Sequence, residues 1–412
     1  MQTVCVIGLG YVGQEVASAA FEHGYSVVGV DKDEEKISAI ADNKICPEVE
    51  FTELTTDARS VLHRADIIVA AVPTPVNNDK VVDLDAIKSV SSMVADADYN
   101  NSPLFIIEST VPPGTTSDVV RPILENGDMT IGDDIFVAHA PERINPGDSQ
   151  WDLSEIPRVV GALTEDGLQR ASQFYSDLVE ADIHGVDTPA IAESSKIIEN
   201  SYRDVNIAFV NEIALALDQL EIDADAALDA AETKPFGFER FYPGVGVGGH
   251  CIPIDPYFLI GKSKSEGFNN KFLSYAREIN DNMPNYVAKK TIRALNDAKV
   301  LPNGSKVIIL GAAFKPDVKD TRNSPYYELK SELKEYGVNV ETYDPVLSEL
   351  STVDSPYMPA DAIILVTAHD EFQFLSFEKL RESGVKIVVD GRNEYDPDSV
   401  EDVGLQYVGI GR

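Results

Sequence analysis

The first 31 residues constrain the fold most, because they alternate strand, glycine-rich turn, helix and strand. Thr3–Ile7 is a short β-branched run, and residues 8–13 after it read Gly-Leu-Gly-Tyr-Val-Gly. Residues 14–23 have a helical pattern, and Ser26–Val30 is a second apolar run that ends at Asp31. A strand, a GxGxxG turn and a helix in this order are typical of the first βαβ unit of a doubly wound parallel sheet.

Each glycine of this turn has its own physical use. Gly8 permits the tight turn, Gly10 lets a pyrophosphate approach the backbone, and Gly13 lets the helix pack on the strand. The helix N-terminus then faces the phosphates. Asp31 can accept hydrogen bonds from ribose hydroxyls, which favours NAD over NADP because a carboxylate repels a 2′-phosphate. The alternative is a glycine-rich turn that binds no ligand.

Three further apolar runs predict strands in this half, at residues 66–72, 104–107 and 135–138. A candidate polar residue follows each run, namely Thr74, Thr110 and Glu142. The carboxyl ends of parallel strands line one crevice of a sheet, so we predict that these three side chains belong to a ligand site. Each of them taken alone could equally be a turn residue or a helix cap.

Residues 190–220 contain no glycine or proline and predict one long helix. Such a helix spans roughly 45 Å at about 1.5 Å per residue, which suggests a spine between domains or a dimer surface. Lys196, Asn200 and Arg203 stand at positions i, i+4 and i+7, where they form a polar stripe on one face. The stripe is either functional or an ordinary solvated face.

Residues 243–256 form a glycine-rich loop around a single cysteine, Cys251, with Asp255 four positions later. Glycine tolerates positive φ angles and close approach, so this loop can wrap tightly around a ligand. A thiol near a carboxylate on such a loop can be a nucleophile with its base or orienting group. The alternative is a buried cysteine without a chemical role.

The second half repeats the alternation of strand and helix without a GxGxxG turn. Predicted strands lie at residues 306–310, 338–343, 362–366 and 386–389, and the second of them ends at Asp344 as Ser26–Val30 ends at Asp31. The pattern predicts a second Rossmann-like domain that has adapted to another ligand. Lys315, Arg322 and Arg392 supply positive charge there, either for an anionic ligand or in surface ion pairs.

The net charge of −35 comes from 69 acidic residues against 34 lysines and arginines. A surface this acidic repels nucleic acid and anionic membranes, and its scattered carboxylates favour a protein adapted to high salt. The alternative is an ordinary acidic cytosolic protein. Three cysteines do not form a disulfide framework, and no metal site is predicted. No apolar stretch reaches the ~18 residues of a membrane helix and no signal peptide precedes the first strand, so we expect a cytoplasmic protein.

Taken together, these motifs resemble the nucleotide-sugar 6-dehydrogenases, the family that includes UDP-glucose dehydrogenase. The resemblance runs nearly from end to end. Its motifs in this sequence are GLGYVG, VPTP, ESTVPPGT, PERINPG, ESSKIIENSYRDVNIAFVNEIA, PGVGVGGHCIPIDPYFL, GAAFKPDVKDTRNSP and DGRN. The family oxidises the C6 alcohol of the sugar to a carboxylate with two NAD and a covalent cysteine intermediate.

The resemblance implies a role for each candidate residue. Cys251 is the nucleophile that forms a thiohemiacetal and then a thioester, and Lys196 and Asn200 stabilise the developing oxyanion. Asp255, with Thr110 and a water molecule, transfers protons, and Glu142 assists hydrolysis of the thioester. The implied cofactor contacts are Gly8, Gly10, Tyr11, Val12, Gly13, Asp31, Thr74, Thr110 and Arg322. The implied substrate contacts are Glu142, Arg143, Lys196, Asn200, Arg203, Gly249, Lys315 and Arg392.

The resemblance also implies a fold, a substrate class and an assembly. We expect two Rossmann-like doubly wound domains, at residues 1–185 and 299–412, and a central helical dimerisation domain with the cysteine loop at residues 186–298. The PERINPGD segment and His250 before Cys251 favour a UDP-N-acetylhexosamine, either UDP-ManNAc or UDP-GlcNAc, bound by a homodimer or a larger homo-oligomer. The alternatives are a UDP-glucose 6-dehydrogenase and a two-electron dehydrogenase of the β-hydroxyacid type, for which Cys251 has no use. A sensor that binds but does not react is a further alternative.

Overall fold

The computed structural model describes residues 1–77, 79–143 and 153–412. The described chain forms two compact units. The first comprises residues 1–199 and 257–269, and the second comprises residues 200–256 and 270–412. The predicted division into three domains stays a prediction, and the INPGD part of the PERINPGD segment lies outside the described residues.

An eight-stranded sheet forms the centre of the first unit, in the order β3-β2-β1-β4-β5-β6-β7-β8. Its strands are β1 (Thr3–Ile7), β2 (Ser26–Val30), β3 (Glu53–Thr55), β4 (Ile67–Ala70), β5 (Leu104–Ile107), β6 (Phe136–His139), β7 (Arg158–Ala162) and β8 (Ile183–Val186). The first six strands run parallel, which confirms the predicted dinucleotide-type sheet. Strand β7 pairs antiparallel with β6, an arrangement that needs no crossover helix and that the sequence did not predict.

Helices cover both faces of this sheet because its strands are apolar on both faces. On β1, Val4 and Val6 belong to one core cluster, whereas Cys5 and Ile7 belong to another. Cys5 is therefore a core residue. The helices of the first unit are α1 (Tyr11–Glu22), α2 (Glu34–Ala41), α3 (Arg59–Leu62), α4 (Asp85–Ala95), α5 (Arg121–Asn126) and α6 (Glu165–Leu178).

The later helices are α7 (Pro189–Gln219), α8 (Ala224–Glu232), α9 (Asp255–Ser265), α10 (Lys271–Asp297), α11 (Pro325–Glu335), α12 (Phe377–Glu382) and α13 (Pro397–Glu401). Helix α7 has 31 residues and confirms the long helix predicted at residues 190–220. The boundary between the two units falls within α7, so Lys196 belongs to the first unit and Asn200 to the second. Among the helices of the described ranges, none is long and apolar enough to cross a membrane.

A five-stranded parallel sheet forms the centre of the second unit, in the order β10-β9-β11-β12-β13. Its strands are β9 (Lys306–Leu310), β10 (Asn339–Tyr343), β11 (Ala362–Leu365), β12 (Ile387–Asp390) and β13 (Gln406–Gly409). Asp344 follows β10 and is buried, with its carboxylate accepting the backbone N–H groups of Ala312 and Ala313. Asp344 thus accepts backbone N–H groups from the turn after β9, as Asp31 accepts the Leu9 N–H from the turn after β1.

Candidate active site

The turn between β1 and α1 has the geometry that a dinucleotide requires. Gly8 has a φ of 95°, and a Cβ there would lie 2.5 Å from the Ala71 carbonyl oxygen. A Cβ at Gly13 would lie 1.9 Å from the Gly8 oxygen, so α1 packs against the turn only because this residue is glycine. A Cβ at Gly10 would meet no described atom within 4 Å. The N-terminus of α1 therefore has open space beside Gly10, as a pyrophosphate needs.

Asp31 lies at the carboxyl end of β2 and is fixed by three donors. Its Oδ2 accepts from the Leu9 N–H at 2.9 Å and from Lys36 Nζ at 2.8 Å, and its Oδ1 accepts from the Asp33 N–H. Burial opposes ionisation, but the bonds from Lys36, Asp33 and Leu9 outweigh it and lower the pKa of Asp31. The group is therefore an anchored carboxylate, which fits a ribose better than a 2′-phosphate.

Tyr11 and Val12 form the first turn of α1, and half of the Tyr11 surface is exposed.

The structure brings Thr74 and Thr110 together, as the strand ends predicted. Thr74 is buried and its hydroxyl donates to the Thr110 carbonyl oxygen at 2.7 Å. The turn after Thr110 is held by Glu193 on α7, a buried carboxylate that accepts from the Gly114 N–H and from Thr116. Helix α7 thus fixes the loop that carries Thr110, a contact that the sequence did not predict.

Glu142 and Lys196 also meet in the first unit. Both are buried, and Lys196 Nζ donates to the carbonyl oxygen of Glu142. The neighbouring Arg143 forms an ion pair with Glu199, at 2.7 Å between Nη2 and Oε1, and also donates to the Pro157 carbonyl oxygen. Within the first unit, the predicted residues Glu142, Arg143 and Lys196 are therefore neighbours.

The cysteine loop lies in the second unit and leads directly into α9. Gly249 has a φ of 92° and its N–H donates to the Arg322 carbonyl oxygen at 2.9 Å. Cys251 is exposed, and its carbonyl oxygen accepts from the Asp255 N–H at 2.8 Å, so it lies one turn before the first residue of α9. Asp255 is buried and accepts from Asn200 Nδ2 at 2.6 Å. The predicted set of Cys251, Asp255 and Asn200 therefore converges at one helix start.

The cations predicted for the second unit have different surroundings. Arg322 pairs with Asp320, and this hydrogen bond, with a smaller contribution from Cys251, raises the pKa of Arg322. The guanidinium of Arg392 packs against the cysteine loop, because a Cβ at Gly244 would lie 2.6 Å from its Nη1. Lys315 is half-buried, and Arg203 is exposed on α7. The ligand contacts assigned to these cations stay predictions.

Buried polar residues that the sequence did not reveal support the same loop. Asn211 on α7 is fully buried, accepts from the Gly244 N–H at 2.9 Å and donates to Asn280 Oδ1 at 2.9 Å. Asn280 in turn donates to Asp204, which is paired with Arg277. No periodicity distinguishes such residues from those of a solvated helix face.

Arg240 stands shortly before the cysteine loop and is held within its own chain. Its Nη2 lies 2.5 Å from Asp225 and 3.1 Å from Asp229, and its guanidinium lies 4.8 Å from the centre of the Tyr242 ring. The side chain is 5% exposed. Two carboxylates of α8 therefore fix the position of Arg240.

The anchored carboxylate and the open glycine turn define the first unit as a NAD-binding domain of a dehydrogenase. Comparison with known families agrees with this class. The NAD binding domain of the UDP-glucose/GDP-mannose dehydrogenase family matches residues 2–179, its central domain matches residues 190–282, and its UDP binding domain matches residues 308–397. The chain belongs to this family, and it is an NAD-dependent oxidoreductase.

The chain is similar to several members of this family along most or all of its length. It is 33% identical to the UDP-N-acetyl-D-glucosamine 6-dehydrogenase of Pseudomonas aeruginosa, over 92% of this chain and 94% of that one. It is 36% identical to the UDP-N-acetyl-D-mannosamine dehydrogenase of Pyrococcus horikoshii, over 99% of both chains. The solved structure of the UDP-D-ManNAc dehydrogenase from Pyrococcus horikoshii matches with a TM-score of 0.91 and 33% identity, over 100% of this chain and 99% of that one.

Proposed function

We propose that the protein oxidises the C6 hydroxyl of a UDP-N-acetylhexosamine to a carboxylate, with two NAD per sugar and a covalent intermediate on Cys251. The observation that carries the proposal is the group at the start of α9, where Asp255 accepts from Asn200 and Cys251 lies exposed one turn earlier. A two-electron alcohol dehydrogenase has no use for a cysteine there, whereas a four-electron oxidation needs a nucleophile.

The first oxidation converts the alcohol to an aldehyde. Asp255, with Thr110 and a water molecule, takes the hydroxyl proton as the hydride leaves C6. Lys196 and Asn200 donate hydrogen bonds to the oxygen that gains negative charge. Bound NAD⁺ accepts the hydride in each of the two oxidations.

The second oxidation takes place on the enzyme-bound sugar. The thiolate sulfur of Cys251 adds to the aldehyde carbon to give the alkoxide of a thiohemiacetal, and loss of a second hydride from that carbon gives a thioester. Water then adds to the thioester carbon, and its proton passes to Glu142. The C–S bond breaks, which releases the uronate and returns the Cys251 thiolate.

The proposed sugar rests on the relatives and on the cysteine loop. The relatives described above are named for UDP-N-acetylglucosamine and UDP-N-acetylmannosamine. His250 stands immediately before Cys251, where UDP-glucose members typically carry serine or tyrosine. Lys315 and Arg392 are proposed to bind the diphosphate, because two cations in a chain of net charge −35 suit a dianion. A UDP-glucose 6-dehydrogenase is the second candidate.

The test is the yield of NADH per sugar at completion, measured in high KCl with UDP-GlcNAc, UDP-ManNAc, UDP-GalNAc and UDP-glucose. We expect about two NADH per sugar consumed, with one N-acetylated substrate strongly preferred. One NADH per sugar would refute the covalent route, and a preference for UDP-glucose would replace the proposed sugar. No NADH with any of the four substrates would refute both candidates.

Two cysteine-to-serine variants, one at Cys251 and one at Cys46, test the role of the thiol against a matched control. We expect Cys251→Ser to lose net turnover, because a serine hydroxyl is a much weaker nucleophile than a thiolate. Cys46 is buried, and burial raises its pKa to about 12, so we expect Cys46→Ser to keep its activity. Equal activity of the two variants would support the two-electron alternative.

We also propose that the protein is a cytoplasmic homodimer, or a multiple of it, formed through α7. Large apolar side chains of α7 are exposed in the single chain, namely Ile191, Ile198, Tyr202 and Phe209. A second copy would remove this apolar surface from water. Light scattering in molar KCl tests the proposal, and a monomer would refute it. The location is tested by cell fractionation.

A further inference from the structure

A charged cluster lies where β5, β6 and β7 meet, and the strand register explains it. Ile107 of β5 pairs with His139 of β6, and His139 pairs with Gly161 of the antiparallel β7. Three positions further along this register, Glu142 stands opposite Arg158. Because β7 is antiparallel to β6, the first residue of β7 lies at the edge of the sheet where β5 and β6 end. Glu108, the residue after β5, reaches the same edge.

Arg158 bridges the two carboxylates of this cluster. Its Nη2 lies 2.7 Å from Glu142 Oε2, and its Nη1 lies 3.0 Å from Glu108 Oε1. The three residues are buried, with 2% of Arg158, 1% of Glu108 and 6% of Glu142 exposed. The ring of the buried Tyr175 lies 5.1 Å from the guanidinium. A buried cation with two acceptors and an aromatic face has little freedom to move.

Glu142 is fixed at three points. Arg158 holds its Oε2, the N–H of Arg143 donates to its Oε1 at 2.5 Å, and Lys196 binds its carbonyl oxygen. The Arg143 and Lys196 bonds involve backbone groups, so they fix the main chain and one carboxylate oxygen. The contact with Arg158 joins two side chains, and it holds the second carboxylate oxygen.

The charge balance of the cluster favours protonation of Glu108. One cation and two carboxylates would leave a net negative charge in a buried site, which is costly. Burial raises the pKa of Glu108 to about 8, although Arg158 opposes this. Burial thus favours the protonated form of Glu108, which leaves the charge of Arg158 to act on Glu142. The Oε1 atom of Glu108 still lies 3.0 Å from Nη1 of Arg158.

We infer that Arg158, backed by Glu108, is a positioning residue that aims the Glu142 carboxylate at the water that hydrolyses the Cys251 thioester. The inference rests on the proposed function, which assigns the hydrolysis step to Glu142. Arg158 takes no part in either hydride transfer. Its loss therefore slows the release of the uronate and leaves both oxidations and the binding of the sugar nucleotide unchanged.

The test is a rapid-mixing measurement on Arg158→Lys with the sugar nucleotide that the wild type oxidises. We expect a burst of about two NADH per Cys251, followed by a steady rate about tenfold to a hundredfold below the wild type, since misplacement of a reacting group by about 1 Å has such an effect. The KM for the sugar nucleotide stays within about twofold. Intact-protein mass spectrometry shows the acyl adduct on Cys251 in the variant and not in the wild type.

Arg121→Lys is the matched control, because Arg121 forms an exposed ion pair with Glu125 in the same unit. It should show neither a burst nor an adduct. Loss of the first NADH, a large rise in KM, or wild-type behaviour of Arg158→Lys would each overturn the inference. Failure of the proposed function is distinct, since it appears in the wild type as one NADH per sugar or none.

A second pair of variants decides the matter if Arg158→Lys does not fold. Glu108→Gln mimics the protonated side chain and keeps an acceptor for Arg158, so we expect rapid hydrolysis. Glu108→Leu removes both oxygens at similar volume, so we expect the burst and the adduct. Equal steady rates and no adduct in the two variants would overturn the role of this cluster.

Discussion

The bond between Asn211 and the start of the cysteine loop gives the sharpest test of how the second unit is held together. Asn211 is fully buried on α7, where its Oδ1 accepts from the Gly244 N–H and its Nδ2 donates to Asn280 Oδ1. The change Asn211→Ala removes both bonds. The Gly244 N–H and the Asn280 oxygen are then left buried without these partners.

The loss in the free energy of unfolding follows from the number of buried polar groups that lose their partners. A buried polar group that loses its partner costs about 1–3 kcal/mol, so two such groups cost roughly 2–6 kcal/mol. The helix propensity of alanine returns less than about 1 kcal/mol. For a unit of about 200 residues, 1 kcal/mol corresponds to roughly 2–4 °C in Tm. A central loss of about 4 kcal/mol therefore predicts a Tm lower by roughly 8–16 °C.

The assay is thermal unfolding by circular dichroism, with Asn206→Ala as the control on the same helix. Asn206 is half-buried and donates to the Tyr202 carbonyl oxygen, so its loss should lower the Tm by less than about 3 °C. We also expect Asn211→Ala to form NADH more slowly well below its Tm, because the bond sets the start of the loop that carries Cys251. Equal Tm values for the two variants would refute the reasoning.

Three further predictions concern stability and cofactor binding. Glu108 has a pKa near 8 in the folded protein and about 4.3 when unfolded, so its stabilising contribution is complete below about pH 4 and is lost as the pH rises towards about 8. Urea unfolding of Glu108→Gln should show a flatter pH dependence than the wild type over that window, and an equal slope would contradict the assignment. Gly10→Ala should keep the Tm and weaken NADH binding about tenfold or more in a fluorescence titration, whereas Gly13→Ala should lower the Tm because its Cβ would meet the turn at 1.9 Å. A lower Tm for Gly10→Ala than for Gly13→Ala would reverse that interpretation. The Tm of the wild type should rise in molar KCl, and a flat response would count against salt adaptation.

The sequence predicted those parts of the fold in which local pattern and tertiary position agree. The apolar runs at β1, β2, β5 and β9 match the predicted strands residue for residue, because buried parallel strands need continuous apolar side chains. The GxGxxG pattern predicted the tight turn after β1, and the structure confirms it because a Cβ at Gly8 or Gly13 would clash. Thr74 and Thr110 were expected to lie close together because neighbouring parallel strands end at the same edge of a sheet, and the structure places them in contact.

The antiparallel direction of β7 could not be predicted, because a buried strand has the same side-chain pattern in either direction. Arg158 starts the run Arg-Val-Val-Gly-Ala, which looks like any buried strand with a charged first residue. Only the antiparallel pairing with β6 places that residue beside Glu142. Asn211 and Glu193 were missed for a related reason, because their partners lie 33 and 79 residues away in the chain.

The interior ion pairs explain how a chain with so many carboxylates keeps its polar sites in place. Within the described ranges, three buried guanidiniums each face two carboxylates, namely Arg158 with Glu108 and Glu142, Arg240 with Asp225 and Asp229, and Arg277 with Asp204 and Asp281. Asp229 and Asp281 are exposed, whereas both partners of Arg158 are buried. Salt at 1 M screens charges in water beyond about 3 Å, but it screens buried pairs much less. High salt therefore weakens the repulsion among the exposed carboxylates and leaves the contacts of Arg158, whose two partner carboxylates are buried, nearly unchanged. Salt thus changes the repulsion at the acidic surface but has little effect on the buried contacts of Arg158. The position of Glu142 therefore does not depend on the ionic strength that stabilises the fold.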